Sequence, residues 1–245
     1  MKANKSTHFG YEIINEKEKA LKVSTVFHSI ANKYDLMNNL MSMGLHNVWK
    51  KILVETTPLK KNAKILDVAA GTADLTIAFS KKNKDFKIFH TDINLSMLKE
   101  GQKKIINYGK IIPSIACDAE ALPFPNNYFD CVTVGFGLRN MTNKDKALKE
   151  IYRVLAPGGK ILILEFSKIW KPLSKLYDLF SFNVVPKIGK LFANDEDSYK
   201  YLVESIRMHP NQEKLKVLMK KQGYEKISYM NLSAGIVAIH KGFKF

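Results

Sequence analysis

Cysteine is almost missing from this chain: Cys117 and Cys131 are the only two in 245 residues. Neither has His, Asp or Glu companions at metal-ligand spacing, so a metal centre is not expected. Both lie in or beside predicted strands and read as reduced, structural thiols of a cytoplasmic protein. Long apolar runs are missing too: nothing approaches the ~18 residues of a membrane span. Residues 1–22 are polar and lack an apolar signal core, which argues against export. Acid is in deficit, with 39 Lys and Arg against 23 Asp and Glu and a formal charge of +16. The surplus is nearly all scattered lysine, without an arginine-rich run or basic residues interleaved with aromatics. It therefore points to compositional drift or to an anionic membrane leaflet before it points to nucleic acid.

What is present is an ordinary globular composition, 46% hydrophobic and 25% charged, enough chain for a substantial core. Residues 1–22 read as a flexible arm and 23–245 as one domain. Apolar residues at helical spacing from Val26 to Leu53, interrupted at Asn38-Asn39 and Gly44, predict two or three helices ahead of a sheet. Alternation follows. Strands are predicted at 64–68, 86–92, 114–117, 129–134 and 160–166, and helices at 74–81, 94–106 and 144–155, with Asn94 or Ser96 as a cap. Pro157-Gly158-Gly159 is expected to stop the last of these helices. Residues 168–210 break the rhythm with aromatics, prolines and an acidic Asn194–Asp197 patch, and read as an inserted helical cap. A helix at 213–222 and a hairpin around Ser233–Gly235 close the chain. Alternating strands and helices predict an α/β fold, a doubly wound, mostly parallel sheet.

The informative stretch is Lys64-Ile-Leu-Asp-Val-Ala-Ala-Gly-Thr-Ala-Asp-Leu75. A short apolar strand carrying Asp67 runs through small residues into a helix, the way nucleotide-binding α/β domains begin. Gly71 stands between Ala70 and Ala73, so the dinucleotide Gly-x-Gly-x-x-Gly pattern is not met. Asp92, about twenty residues on, ends the second strand where an acid can accept from both hydroxyls of a ribose. The plainer alternative is an acid stabilising a helix N-terminus. Asp118 ends the third strand, where it can accept from an adenine amino group while the Ala119 N–H donates to a ring nitrogen. Asp67 and Asp74 flank the loop; they suit a cationic ligand and would repel a pyrophosphate. S-adenosylmethionine (SAM), a sulfonium without pyrophosphate, fits this pattern better than a nicotinamide cofactor.

With those residues in hand, the sequence resembles the ubiquinone/menaquinone biosynthesis C-methyltransferases, within the class I SAM-dependent methyltransferases. The resemblance runs from about Phe27 to Phe245. It is carried by Phe27-His-Ser-Ile-Ala-Asn-Lys-Tyr-Asp35, Asp118-Ala-Glu-Ala-Leu-Pro-Phe-Pro125 and Tyr128 through Asn140. Arg153-Val-Leu-Ala-Pro-Gly-Gly159, Leu164-Glu-Phe-Ser-Lys168 and Glu204-Ser-Ile-Arg-Met-His-Pro210 add to it, and Gly135-Phe-Gly-Leu-Arg-Asn140 is its most specific part. Ala70 and Ala73 depart from the family's usual glycines, Ala73 narrowing the loop; Asp118 replaces a frequent Asn and Gly135 a frequent Ser. The resemblance implies a Rossmann-like sheet in the order 3-2-1-4-5-7-6. It also implies SAM contacts at Thr72, Asp92, Asp118, Ala119 and Gly135, beside Asp67 and Gly71. The implied reaction is methylation of a ring carbon of a polyprenylated quinol, 2-polyprenyl-6-methoxy-1,4-benzoquinol or demethylmenaquinol, with S-adenosylhomocysteine as by-product.

A quinol carbon becomes nucleophilic when its hydroxyl ionises, and an ordinary phenol has a pKa of about 10. Arg139 is the expected cation that lowers it, with Asn140 orienting the hydroxyl or a water. A salt-bridge anchor is the plainer role for Arg139. His46 and His209 are alternative bases, and Tyr34 a pocket wall. The isoprenoid tail needs an apolar slot, expected from Ile169, Trp170, Leu173, Leu176, Leu179, Phe180, Phe182 and Val184 with the N-terminal helices. Peripheral contact with the inner face of the membrane, and with other quinone-biosynthesis enzymes, is expected; an oligomer stays open. The competing readings are an RNA methyltransferase, a non-catalytic binding protein on the same fold, and a nicotinamide dehydrogenase.

Overall fold

The computed structural model describes residues 6–184, 186–187 and 196–245. Asn194 and Asp195 of the acidic patch lie outside the described residues, as do the side chains of Glu196 and Leu176.

Seven strands form one sheet: β3 (Lys64–Val68), β4 (Lys87–Asp92), β5 (Ser114–Ala116), β6 (Phe129–Gly135), β7 (Leu155–Phe166), β8 (Glu225–Leu232) and β9 (Val237–Phe243). Their spatial order is β5-β4-β3-β6-β7-β9-β8. Counted within the sheet this is 3-2-1-4-5-7-6, as the resemblance implies. The first five strands are parallel, and β9 inserts antiparallel between β7 and β8. The order reverses between β3 and β6, which opens a crevice at their carboxyl ends. Alternate residues of each strand feed opposite faces. Ile161 and Ile163 enter a core with Leu148, Ile151 and Met219, while Leu162 and Leu164 join Trp49, Leu53 and Phe79 on the other side. Each such fully buried side chain contributes about 1.5–3 kcal/mol. Cys131 lies within that second core, and both cysteines are free.

Helices α4 (Asp74–Lys82), α5 (Leu95–Asn107) and α6 (Lys144–Val154) occupy the connections. Asn94 caps α5 by accepting from the Ser96 and Met97 N–H groups, and Asn143 caps α6 by accepting from Lys146. Pro157-Gly158-Gly159 does not end α6. The helix stops at Val154, and β7 already holds these residues, with the Gly158 N–H donating to the Lys244 carbonyl.

The N-terminal region corrects two expectations. Residues expected as an arm form a hairpin, β1 (Ser6–Phe9) and β2 (Glu12–Asn15), and the start of α1 (Glu16–Ile30). The turn uses Gly10 at φ +57, a conformation open to glycine. Tertiary contacts hold the hairpin. Phe9 stacks on Tyr201 at 4.1 Å and the Tyr11 N–H donates to Glu204. Composition alone cannot foresee such docking. Helices α2 (Tyr34–Ser42) and α3 (Leu45–Glu55) follow, broken at Ala31–Lys33 and at Met43-Gly44. Gly44 is thus a break as expected, whereas Asn38-Asn39 lies inside α2. The region read as a cap contains α7 (Lys171–Asn183) and α8 (Glu196–Met208), and α9 (Gln212–Lys221) leads into the final hairpin.

Candidate active site

The loop from β3 into α4 is held from below by strand β4. The Gly71 N–H donates to Asp92 Oδ2 at 2.9 Å, and the Gly71 carbonyl accepts from His90 Nε2 at 3.0 Å. Because a carbonyl only accepts, His90 carries its proton on Nε2. Gly71 itself sits at φ +53. Ala73, expected to narrow the loop, also has a left-handed backbone, and its methyl is buried with Ile77 and Ile105.

Four of the expected cofactor residues, Asp67, Gly71, Thr72 and Gly135, surround a small cavity of about 30 Å³ at this loop. Asp67 is fully buried, taking hydrogen bonds from Thr76 at 2.7 Å and Thr133 at 2.8 Å. Burial pushes its carboxyl up to about 6 despite those donors. Asp92 spends one lone pair of each oxygen on protein N–H groups, those of Gly71 and Asn94. The remaining lone pairs are what a diol would use, and burial raises this acid as well. Asp118 and Ala119 follow the end of β5, next to Asp92: the Cys117 N–H donates to the Asp92 carbonyl. Asp118 is exposed and accepts from the Glu120 N–H at 2.8 Å.

Asp74 does not serve as a free acid for a cationic ligand. Burial alone would raise its pKa, yet Lys50 and Lys104 bracket it and bring it to about 2. Thr72 is engaged as well, donating to Asp35 at 2.6 Å, and Asp35 also meets Lys104 at 2.5 Å. Tyr34 and Asp35 thus form a strap across the loop, and the cavity beneath it is smaller than the roughly 300–1,000 Å³ of a typical ligand site.

Beside the loop lies a larger cavity of about 440 Å³. Trp49, Phe136, Phe166, Ile169 and Leu202 are among its walls, while Met43, Leu45 and Leu173 line it and are also exposed. Of the expected tail-slot residues, Ile169, Leu173 and Phe180 line it; Trp170, Leu179, Phe182 and Val184 do not, and are exposed. The α8 contribution and Phe136 were not expected. Tyr34 and Phe136 border both this cavity and the loop cavity.

Arg139 is the buried cation of the larger cavity. Its Nη1 lies 3.1 Å from Glu165 Oε1 and also donates to the Phe136 carbonyl, while its backbone N–H donates to Glu165 Oε2. Asn140 turns elsewhere, its Oδ1 accepting from the Tyr201 hydroxyl at 3.0 Å, and it is not among the residues lining this cavity. His46 does line it. Its Nδ1 lies 2.8 Å from Ser42 Oγ, and burial together with Lys50 pushes the imidazole down to about 4. His209 lies in a separate cavity behind Arg139. Three contributors escaped the sequence reading: His90, Glu165 and the Asp35 strap. Glu165 and Asp35 fall inside the matching stretches, so a signal existed for them; His90 had none.

Acids at three adjacent strand ends, one beside a left-handed glycine that lets a ligand approach, fit SAM by the chemistry of the donor set. The comparisons agree. The model of the ubiE/COQ5 methyltransferase family matches residues 14–244. This chain belongs to the ubiE/COQ5 methyltransferase family. A ubiquinone/menaquinone biosynthesis C-methyltransferase UbiE of Burkholderia mallei is 55% identical over 240 residues, covering 98% of this chain and 99% of that protein. A SAM-dependent methyltransferase structure from Thermotoga maritima aligns with TM-score 0.65 at 17% identity, covering 91% of this chain and all of that one. A phosphoethanolamine N-methyltransferase 2 of Haemonchus contortus, solved with SAM, aligns with TM-score 0.60 at 17% identity over 81% of this chain and 52% of that one. These structural likenesses show the fold. In this ubiE/COQ5 member, the family's fold meets an apolar cavity at the crevice where the strand order reverses.

Proposed function

We propose that this chain methylates a ring carbon of a polyprenyl quinol with SAM; the 55% identical relative is named a ubiquinone/menaquinone biosynthesis C-methyltransferase. One observation carries the reading: an apolar cavity large enough for a quinol ring and the first part of a tail abuts the loop cavity across Tyr34 and Phe136. Bound SAM supplies a methyl on a cationic sulfur that leaves as a neutral thioether. Asp67, Gly71, Thr72, Asp92, Asp118, Ala119 and Gly135 form the donor side. Asp67 attracts positive charge, Asp92 grips the sugar hydroxyls, and the Gly135 backbone leaves room at the β6 end. Arg139 faces the acceptor side, favouring the ionised quinol hydroxyl, whose charge then spreads to the ring carbon. Its partner Glu165 moderates that effect and fixes the guanidinium. Asn140 acts one step back, through Tyr201. The apolar walls hold the ring and exclude water, so that carbon, methyl and sulfur stay aligned.

An RNA acceptor is disfavoured by these walls, since base recognition needs stacking platforms within a basic groove. No described helix is long and apolar enough to cross a membrane. Exposed Met43, Leu45 and Leu173 at the cavity wall support peripheral docking on lipid, from which a tailed quinol can enter. Incubation with labelled SAM and, separately, demethylmenaquinol, the benzoquinol and RNA tests the activity. Label in a quinol is expected, and label in RNA alone overturns the reading. Sedimentation with anionic vesicles that weakens in salt is expected for the docking; no sedimentation at any salt overturns it.

A further inference from the structure

A second cavity, of about 60 Å³, lies behind Arg139 and beneath the N-terminal hairpin. Arg139 lines both it and the large apolar cavity, and so forms the wall between them. On the far side Thr7, His8 and Gly10 of the hairpin line it, along with the partly exposed Met208. Its interior is polar, with Tyr201, Ser205 and His209 facing in. His209 is 9% exposed, and among the described residues neither ring nitrogen has a hydrogen-bond partner; Arg139 Nε has none either. Buried polar atoms are rarely left so, and a cavity of this size takes a few waters that satisfy them.

Quinol methylation creates a need that this arrangement meets. One C–C bond forms and the C–S bond breaks; the ring C–H pair restores the aromatic ring and its hydrogen departs as a proton. The hydroxyl proton lost on ionisation is regained, so each turnover releases one proton into a site with apolar walls. We propose that the cavity behind Arg139 is the proton exit of this enzyme, with His209 as its relay to solvent beneath the hairpin. The inference rests on the quinol reading above. An imidazole with both nitrogens free can accept at one and release at the other. Its surroundings keep it from trapping the proton. Burial lowers its pKa first, and Lys144 from α6, Arg139 from the turn after β6 and His240 from β9 add to this; Lys19 of α1 and His8 of β1 line the same cavity.

The test uses the full chain, SAM and demethylmenaquinol, with two variants. His209→Gln removes the relay, and Ser205→Met fills the cavity from α8 while leaving His209 in place. For H209Q the expectation is a kcat lowered at least tenfold, an unchanged KM for SAM, a larger solvent deuterium isotope effect on kcat, and partial rescue by added imidazole. S205M is expected to show the same isotope effect without rescue. A folded H209Q or S205M with wild-type kcat and isotope effect overturns the inference, as does a loss in H209Q without isotope effect or rescue. If H209Q does not fold, S205M decides. Wild-type protein that methylates no quinol overturns the functional reading and this inference with it.

Discussion

Arg139 and Glu165 form a buried pair in which one carboxylate holds both ends of the same residue. Oε1 lies 3.1 Å from the guanidinium and Oε2 accepts the Arg139 backbone N–H at 3.1 Å. The side chains are 4% and 1% exposed, so bulk solvent screens neither charge. Removing one partner of such a pair costs about 3–5 kcal/mol, whereas removing both is often neutral. Arg139→Gln and Glu165→Gln are each expected to lower the melting temperature, and the double variant to recover most of it. Turnover is expected to stay lost in the double variant, at least tenfold down, with SAM affinity within threefold of wild type by calorimetry. Normal turnover in the folded double variant removes Arg139 from the chemistry.

Asp67 is held charged at a cost to the fold. Its carboxyl ionises at about 6 in the native state against 3.8 unfolded, because burial penalises the anion. A raised acid stabilises the fold while protonated, and that contribution is lost as pH rises from about 4 to 6. Asp67→Asn is therefore expected to melt higher than wild type at pH 7.5, by a smaller margin at pH 5, and about equally only below about pH 4, where the carboxyl is protonated in both states. SAM binding should weaken tenfold or more at pH 7.5, since the attraction for its positive charge is gone. Equal SAM affinity in the two proteins excludes Asp67 from the site.

Gly101 is a point where α5 comes closest to the loop backbone. A Cβ built there meets the Gly71 carbonyl oxygen and lies 2.6 Å from the His90 ring. Backbone on one side and a hydrogen-bonded imidazole on the other leave little room to yield. Gly101→Ala is expected to displace the loop, weakening SAM binding tenfold or more by calorimetry while leaving the circular dichroism unchanged. Wild-type SAM affinity would show that the contact has no bearing on the site.

His46 should make the fold acid-sensitive. Burial and Lys50 bring it down to about 4, below the unfolded value of 6.5. For a histidine lowered on folding, stability is full above the unfolded value and is lost as pH falls towards the folded one. Urea midpoints of His46→Gln are expected to fall less than those of wild type between pH 6.5 and 4. His90 and His240 are lowered as well and keep part of the acid response in the variant. Parallel pH profiles would remove His46 from this role.

Much of the architecture can be read from residue order. Alternating apolar strands and amphipathic helices yield the parallel sheet, and Gly71, Asp92 and Asp118 fall at its carboxyl edge, as their spacing implies. Those are local patterns: a strand periodicity, a turn of small residues, an acid at a strand end, each written in a few consecutive positions. The partners of the catalytic candidates are long-range facts. Glu165 closes on Arg139 from the neighbouring strand, and Asp35 reaches Thr72 across 37 positions. The hairpin at residues 6–15 docks on α8, nearly two hundred residues away. Such pairings come from packing the sheet, the N-terminal helices and α8 together, which also encloses the apolar cavity and leaves His209 buried behind Arg139. The sequence by itself determined the sheet and the acids and small residues at its carboxyl edge; only the tertiary structure decided the apolar cavity beside them, because its walls come from five separate stretches of chain that meet only when the core is formed.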